Sequence, residues 1–168
     1  MPCNTHIERG QDWTIGPQGN TITISYALTD SEFAIPSDRI AVIGEFTNEE
    51  GPACPDYFLV IVCSQNDWYR IPMNAKGMEE TLAWFRERLG PMGERTLYSC
   101  ARLNSRVLWP FEIVGAPIFR FVNIRRTIWD RIMRWWGLGI CESQVLESTL
   151  ESAARSLTRQ AGTTPNGA

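Results

Sequence analysis

The residues with most chemical potential lie between Arg120 and Trp136. On a helix advancing about 100° per residue, Phe121, Val122, Ile124, Ile128, Trp129, Ile132, Met133, Trp135 and Trp136 share one half of the wheel. Arg120, Asn123, Arg126, Thr127, Asp130, Arg131 and Arg134 take the other, and Arg125 intrudes on the apolar side. So wide an apolar face must be covered. Intramolecular docking is the commonest fate of such a stripe. An anionic membrane surface is a second cover, because rings settle at the headgroup boundary while guanidinium groups meet anionic lipid. A protein partner or a second copy is the third, since aromatic and arginine side chains dominate interface energetics. Nucleic acid is not expected, because a helix that binds it presents its bases on the contacting face. The expected partner- or membrane-binding residues are Phe121, Arg125, Ile128, Trp129, Ile132, Arg134, Trp135 and Trp136.

Other chemically capable residues argue for less. Cys3 and His6 lie close together near the N-terminus with no orienting acid in the pattern, so they do not read as a nucleophilic pair. Glu49–Glu50 and Glu79–Glu80 are adjacent residues, which diverge on a helix and read as solvated. Read as a strand, Trp68 and Arg70 share one face and Tyr69 takes the other, which favours sheet packing over a ligand role. The sequence has no Gly-rich phosphate loop. Its five cysteines are widely spaced without a C-x-x-C pair, and His6 is its one histidine. Reduced thiols are therefore expected, with no disulfide framework, metal site, cofactor or catalytic residue.

Elements must position these residues. With 43% apolar and 21% charged residues, the chain is of globular composition. The net charge of −3 is unevenly spread: residues 1–100 carry 14 acids and 7 bases, residues 101–168 carry 5 and 9. That reversal favours a surface-binding C-terminal part. The polar run Asn4–Asp12, Ile7 apart, predicts no signal peptide. No apolar run reaches the ~18 residues of a membrane span. A cytoplasmic protein is expected, in peripheral contact with a membrane if the helix binds lipid.

Alternation over Thr21–Leu28 predicts a strand with Ile22, Ile24, Tyr26 and Leu28 on one face. Phe33–Ile35 and Arg39–Phe46 predict two more, and Trp13–Ile15 an edge strand. Tyr57–Cys63 is apolar almost throughout and suits a central strand buried on both faces. Trp68–Ile71 should return from it as a hairpin. Met78, Leu82, Phe85 and Leu89 then fall on one helical face, with Glu79 and Glu80 in the first turn, Arg86 and Arg88 in the last, and Gly90–Pro91 as the stop. Thr96–Arg102 predicts a strand, although Ala101–Leu108 also tolerates a helix. Trp109–Phe119 is broken by Pro110, Gly115 and Pro117. A last helix is expected over about Glu142–Gln160, with Leu146, Leu150, Ala153, Ala154 and Leu157 on one stripe.

Short strands, a hairpin and the closing segment GMEETLAWFRERLG resemble a bacterial pleckstrin-homology-like domain over about residues 12–90. In that family an amphipathic helix plugs one end of a bent barrel, often with a tryptophan near its middle, and Trp84 stands at the comparable place. The family's lipid-binding members use bases around the first hairpin loop. Gly16–Asn20 carries none, so the resemblance does not extend to phosphoinositide binding there. The resemblance implies an α+β fold, a PH-like antiparallel β-barrel or sandwich closed by a helix over 1–92. A helical C-terminal extension is expected over 93–160, and a disordered tail over 161–168. The functional expectation is a non-enzymatic binding or scaffolding module that associates with a membrane surface or membrane-bound partner through the Trp/Arg helix. The alternative is a soluble subunit using the same surface for homo-oligomerisation or a dedicated protein partner.

Overall fold

In the computed structural model the described residues are 12–28, 30–48, 56–100, 102–121 and 143–162. Alternating isoleucines build the first layer. β1 (Trp13–Gln18), β2 (Thr21–Tyr26) and β3 (Ser31–Pro36) form an antiparallel sheet in that order. Ile15, Ile22, Ile24 and Ile35 point inward and are buried, as period-two alternation requires. Leu28 lies past the end of β2 and is 58% exposed, so the expected inward stripe stops short of it.

The second layer is an antiparallel sheet in the order β6-β5-β4-β7. It contains β4 (Val42–Thr47), β5 (Tyr57–Ser64), β6 (Asp67–Pro72) and β7 (Asn104–Trp109). β5 is the strand its composition predicts, with Phe58 to Val62 all buried. Leu59 and Ile61 join Ile43 and Ile71 in the core beneath the first sheet. Phe58, Val60 and Val62 join Val42, Phe46 and Val107 in a second core on the opposite face. At the β4–β7 pairing Ile43 faces Trp109 while Gly44 faces Val107, so Leu108 is the extra residue of a bulge. The bulge lets Trp109 turn into the first core while Val107 stays in the second.

α1 (Met78–Leu89) packs along β1 and buries Met78, Thr81, Leu82 and Phe85. Leu89 is half-buried at its end, and Trp109 Nε1 donates to the Leu89 carbonyl at 3.0 Å. Gly77 starts the helix at φ 85°, and a Cβ there would strike the Ile15 carbonyl. A side chain is excluded twice over.

A third layer covers the second core. β8 (Phe119–Phe121) and β9 (Ser143–Val145) pair antiparallel, and α2 (Glu147–Gly162) follows. Ile118, Phe119, Val145 and Ala153 close over the valines of β4, β5 and β7. The buried Ser105 hydroxyl of β7 accepts from the Ile118 and Phe119 N–H groups at 3.2 and 3.0 Å. Thr149 Oγ1 donates to the Pro117 carbonyl at 2.8 Å, fixing the start of α2.

The fold is thus α+β, and several expectations need correction. The described strands do not close a barrel: β3 and β6 end their sheets and do not pair with each other. Thr96–Arg102 holds a short 3-10 turn at Leu97–Ser99, and the strand begins at Asn104. Arg120 and Phe121 belong to β8, so no helix starts there. The expected last helix starts only at Glu147, with Ser143–Val145 extended and paired to β8. Of the stripe expected to be apolar and inward, Ala154 is exposed, while Thr149 and Ser156 are buried beside Ala153. Both hydroxyls are satisfied, Thr149 by the Pro117 carbonyl and Ser156 within its own helix by the Ser152 or Ala153 carbonyl at 3.2 and 2.9 Å.

Candidate functional site

Two places in the molecule stand apart from ordinary packing. The first is the β8–β9 ribbon. Phe119 faces Val145, Arg120 faces Gln144 and Phe121 faces Ser143. The chain from 122 to 142 therefore departs and returns through neighbouring strands. Phe119 roots that ribbon, with its ring 4.9 Å from Trp68 and edge-on to Phe46 at 5.7 Å. Of the expected binding residues, Phe121 lies at the end of β8. Arg125, Ile128, Trp129, Ile132, Arg134, Trp135 and Trp136 lie outside the described residues, as do Cys3, His6 and the Glu49–Glu50 pair.

The second is Glu45, a carboxylate buried to 0% exposure in the middle of β4. It shares parity with Ile43 and so points toward the first core. Tyr57 OH donates to its Oε2 at 2.7 Å and Leu97 N–H donates to the same oxygen at 3.2 Å. Thr96 N–H reaches both oxygens, at 2.9 Å to Oε1 and 3.2 Å to Oε2. The Thr96 hydroxyl donates to Oε1 at 3.3 Å and itself accepts from the Arg106 guanidinium. Alongside, Thr47 Oγ1 donates to the Arg102 carbonyl at 2.7 Å, and Arg95 pairs with Glu79 at 3.1 Å.

A buried carboxylate left bare costs several kcal/mol, about 1–3 of which each charge-assisted hydrogen bond returns. Glu45 is surrounded by enough donors to be held there. Burial, then the bond to Glu45 and its charge, push the Tyr57 phenol well above the usual tyrosine range. The phenol consequently stays a donor, and both Glu45 oxygens are engaged. This arrangement clamps the 3-10 turn at Leu97–Ser99 onto the sheet; it does not offer a base to a substrate. The sequence contains a signal for it, an acid at core parity within RIAVIGEF, but nothing in the spacing points to donors on Thr96 and Leu97.

The Trp68–Tyr69–Arg70 run divides as its parity predicts. Arg70 lies over the Phe58 ring at 4.8 Å and Tyr69 meets Phe33 at 5.9 Å. Beside them burial, with the nearby Asp67 charge, pushes the Cys63 thiol up to about 11. Such a thiol is a poor nucleophile near neutrality. Among the described residues no group of His, Cys, Asp or Glu is placed to hold a metal ion, and no helix is long and apolar enough to cross a membrane. Comparison with family models, curated proteins and solved structures found no match for the chain.

Proposed function

We propose that the chain is a non-enzymatic binding module, PH-like in its strand body, that associates with an anionic membrane surface through the Arg120–Trp136 segment. The observation that carries this reading is the β8–β9 pairing, which tethers both ends of the 122–142 stretch side by side on the buried Phe119 and Val145. A tether of that kind suits an element held out for recognition, because the body fixes where it begins and ends. The stretch supplies rings in Trp129, Trp135 and Trp136, and cations in Arg125, Arg126, Arg131 and Arg134. Together these are the components of interfacial binding. The excess of bases over acids beyond residue 100 favours anionic lipid.

Sedimentation with vesicles of phosphatidylcholine containing about 30% phosphatidylserine tests the reading. The protein is expected to pellet with these vesicles and far less with phosphatidylcholine alone. Replacing Trp135 and Trp136 by serine should cut the bound fraction about tenfold. Protein that stays in the supernatant with both vesicle types would overturn it. A mass above the monomer in lipid-free size exclusion, lost in the same variant, would assign the segment to self-association instead.

A further inference from the structure

The two main sheets are finished differently along their two sides. On one side α1 lies along β1, whose outer edge is already bonded: Ile15 N–H donates to the Lys76 carbonyl at 2.9 Å and Lys76 N–H to the Trp13 carbonyl at 3.0 Å. On the other side β3 and β6 are, among the described residues, the margins of their sheets with no further strand beside them. The Phe33–Tyr69 ring contact bridges them, and just past β3 Arg39 pairs with Asp67 of β6 at 2.8 Å.

In an antiparallel ladder, alternate residues direct their backbone groups to alternate neighbours. Ala27 N–H donates to the Asp12 carbonyl, so odd residues of β2 serve β1 and even residues serve β3. Ser37 N–H donating to the Asn20 carbonyl gives the same parity independently. With Ile22 opposite Ile35 and Ile24 opposite Phe33, the odd residues of β3 bond β2. Glu32 and Ala34 therefore turn their N–H and C=O groups outward, where no backbone group of the described residues meets them. Glu32, Phe33 and Ala34 are exposed in succession, as an edge open on both faces must be. Asp30, Glu32 and Asp38 lie exposed along this edge, while the adjoining bases are engaged, Arg39 with Asp67 and Arg88 with the Asn20 side-chain carbonyl.

We propose that β3 is a docking edge for an extended basic peptide, which joins the first sheet as an antiparallel strand beside it. Its backbone exchanges hydrogen bonds with Glu32 and Ala34. Side chains opposite these two share their solvent face, which selects Arg or Lys across from Glu32. The intervening side chains point inward and rest on Phe33 and Tyr69, which selects apolar residues. The peptide thus alternates cation and hydrophobe. This edge shares no residue with the 120–136 segment, and its test reads out binding of a peptide, so its outcome is distinguishable from that of membrane binding.

The probe is a capped hexapeptide of alternating arginine and valine, added to the full chain at about 150 mM salt to screen non-specific attraction. Amide hydrogen exchange at Glu32 and Ala34 is expected to slow more than tenfold at saturation. Glu32→Lys should weaken binding at least tenfold, and so should Ala34→Pro, which removes an outward donor at a position where an edge strand tolerates proline. N-methylation of the peptide's arginine amides should abolish binding, because those amides face β3, whereas N-methylation of its valine amides should not. That pair of peptides decides the matter even if a protein variant does not fold. Absence of binding, protection at Trp68 and Arg70 of β6 instead, or equal binding of both methylated peptides would overturn the proposal.

Discussion

Tyr57 on β5 reaches diagonally across the sheet to Glu45 on β4, donating its phenolic hydrogen to Oε2 at 2.7 Å from two residues before Leu59, the register partner of Glu45. The bond links the central strand to a turn far along the chain, because the same carboxylate receives Thr96 and Leu97.

Removing the acceptor should be worse than removing the donor. Glu45→Ala strands two backbone N–H groups beneath the turn and is expected to cost about 3 kcal/mol or more. Tyr57→Phe deletes one hydrogen bond and should cost about 1.5 kcal/mol. Urea denaturation followed by tryptophan fluorescence measures both. Equal losses would mean that the turn does not depend on the carboxylate.

Alkaline pH should loosen the same node. The folded phenol of Tyr57 titrates above its ordinary value of 10.0. A group raised in this way contributes stability that is fully present below that value and is lost as pH climbs through the folded pKa. Denaturation midpoints should fall above pH 10, and less steeply in Tyr57→Phe. The phenolate absorbance of Tyr57, obtained by difference from that variant, should appear late in an alkaline titration.

Cys63 should resist alkylation. Its thiol is raised from 9.0 to about 11, so at pH 8 its thiolate fraction is about a hundredfold below that of an ordinary cysteine. Iodoacetamide labelling mapped by mass spectrometry is expected to find Cys63 modified about a hundredfold more slowly than a cysteine in a short model peptide. Its linkage runs the same way as that of Tyr57, with stability present below 9.0 and lost toward 11.

Gly44→Ala should be poorly tolerated. A Cβ at this position would run into the Ile118 side chain and the Arg106 carbonyl. Ile118 can shift but the β7 backbone cannot, so a loss of about 3 kcal/mol is expected in thermal or urea unfolding. Gly16→Ala, where a Cβ would meet nothing within 4 Å, is the matched control.

Strong periodicity made some elements readable and left others hidden. α1 could be read to its bounds because Met78, Leu82 and Phe85 mark one face and Gly90 ends it. β5 was legible from its unbroken apolar run. β9 was not, since Ser143–Val145 is too short to display a period and its partner β8 lies about twenty residues earlier in the sequence. The stripe on α2 misled because Thr149 and Ser156 bury their hydroxyls against carbonyls, which makes them acceptable core residues. Glu45 showed its parity but not its partners. The Trp/Arg pattern of residues 120–136 reads as a helix from its first residue, yet Arg120 and Phe121 are spent on β8, whose pairing the periodicity does not register.

The two-sided burial of β5 has a consequence for how the chain emerges during synthesis. Sheet pairing among β4, β5 and β6 needs nothing beyond residue 72, yet the cover over Phe46, Phe58, Val60 and Val62 is drawn from residues 118–153. A nascent chain of intermediate length therefore carries a formed sheet with a wet, sticky back. Truncation ahead of Ile118 should turn that transient condition into a permanent one, and such a fragment is expected to aggregate where the whole chain does not.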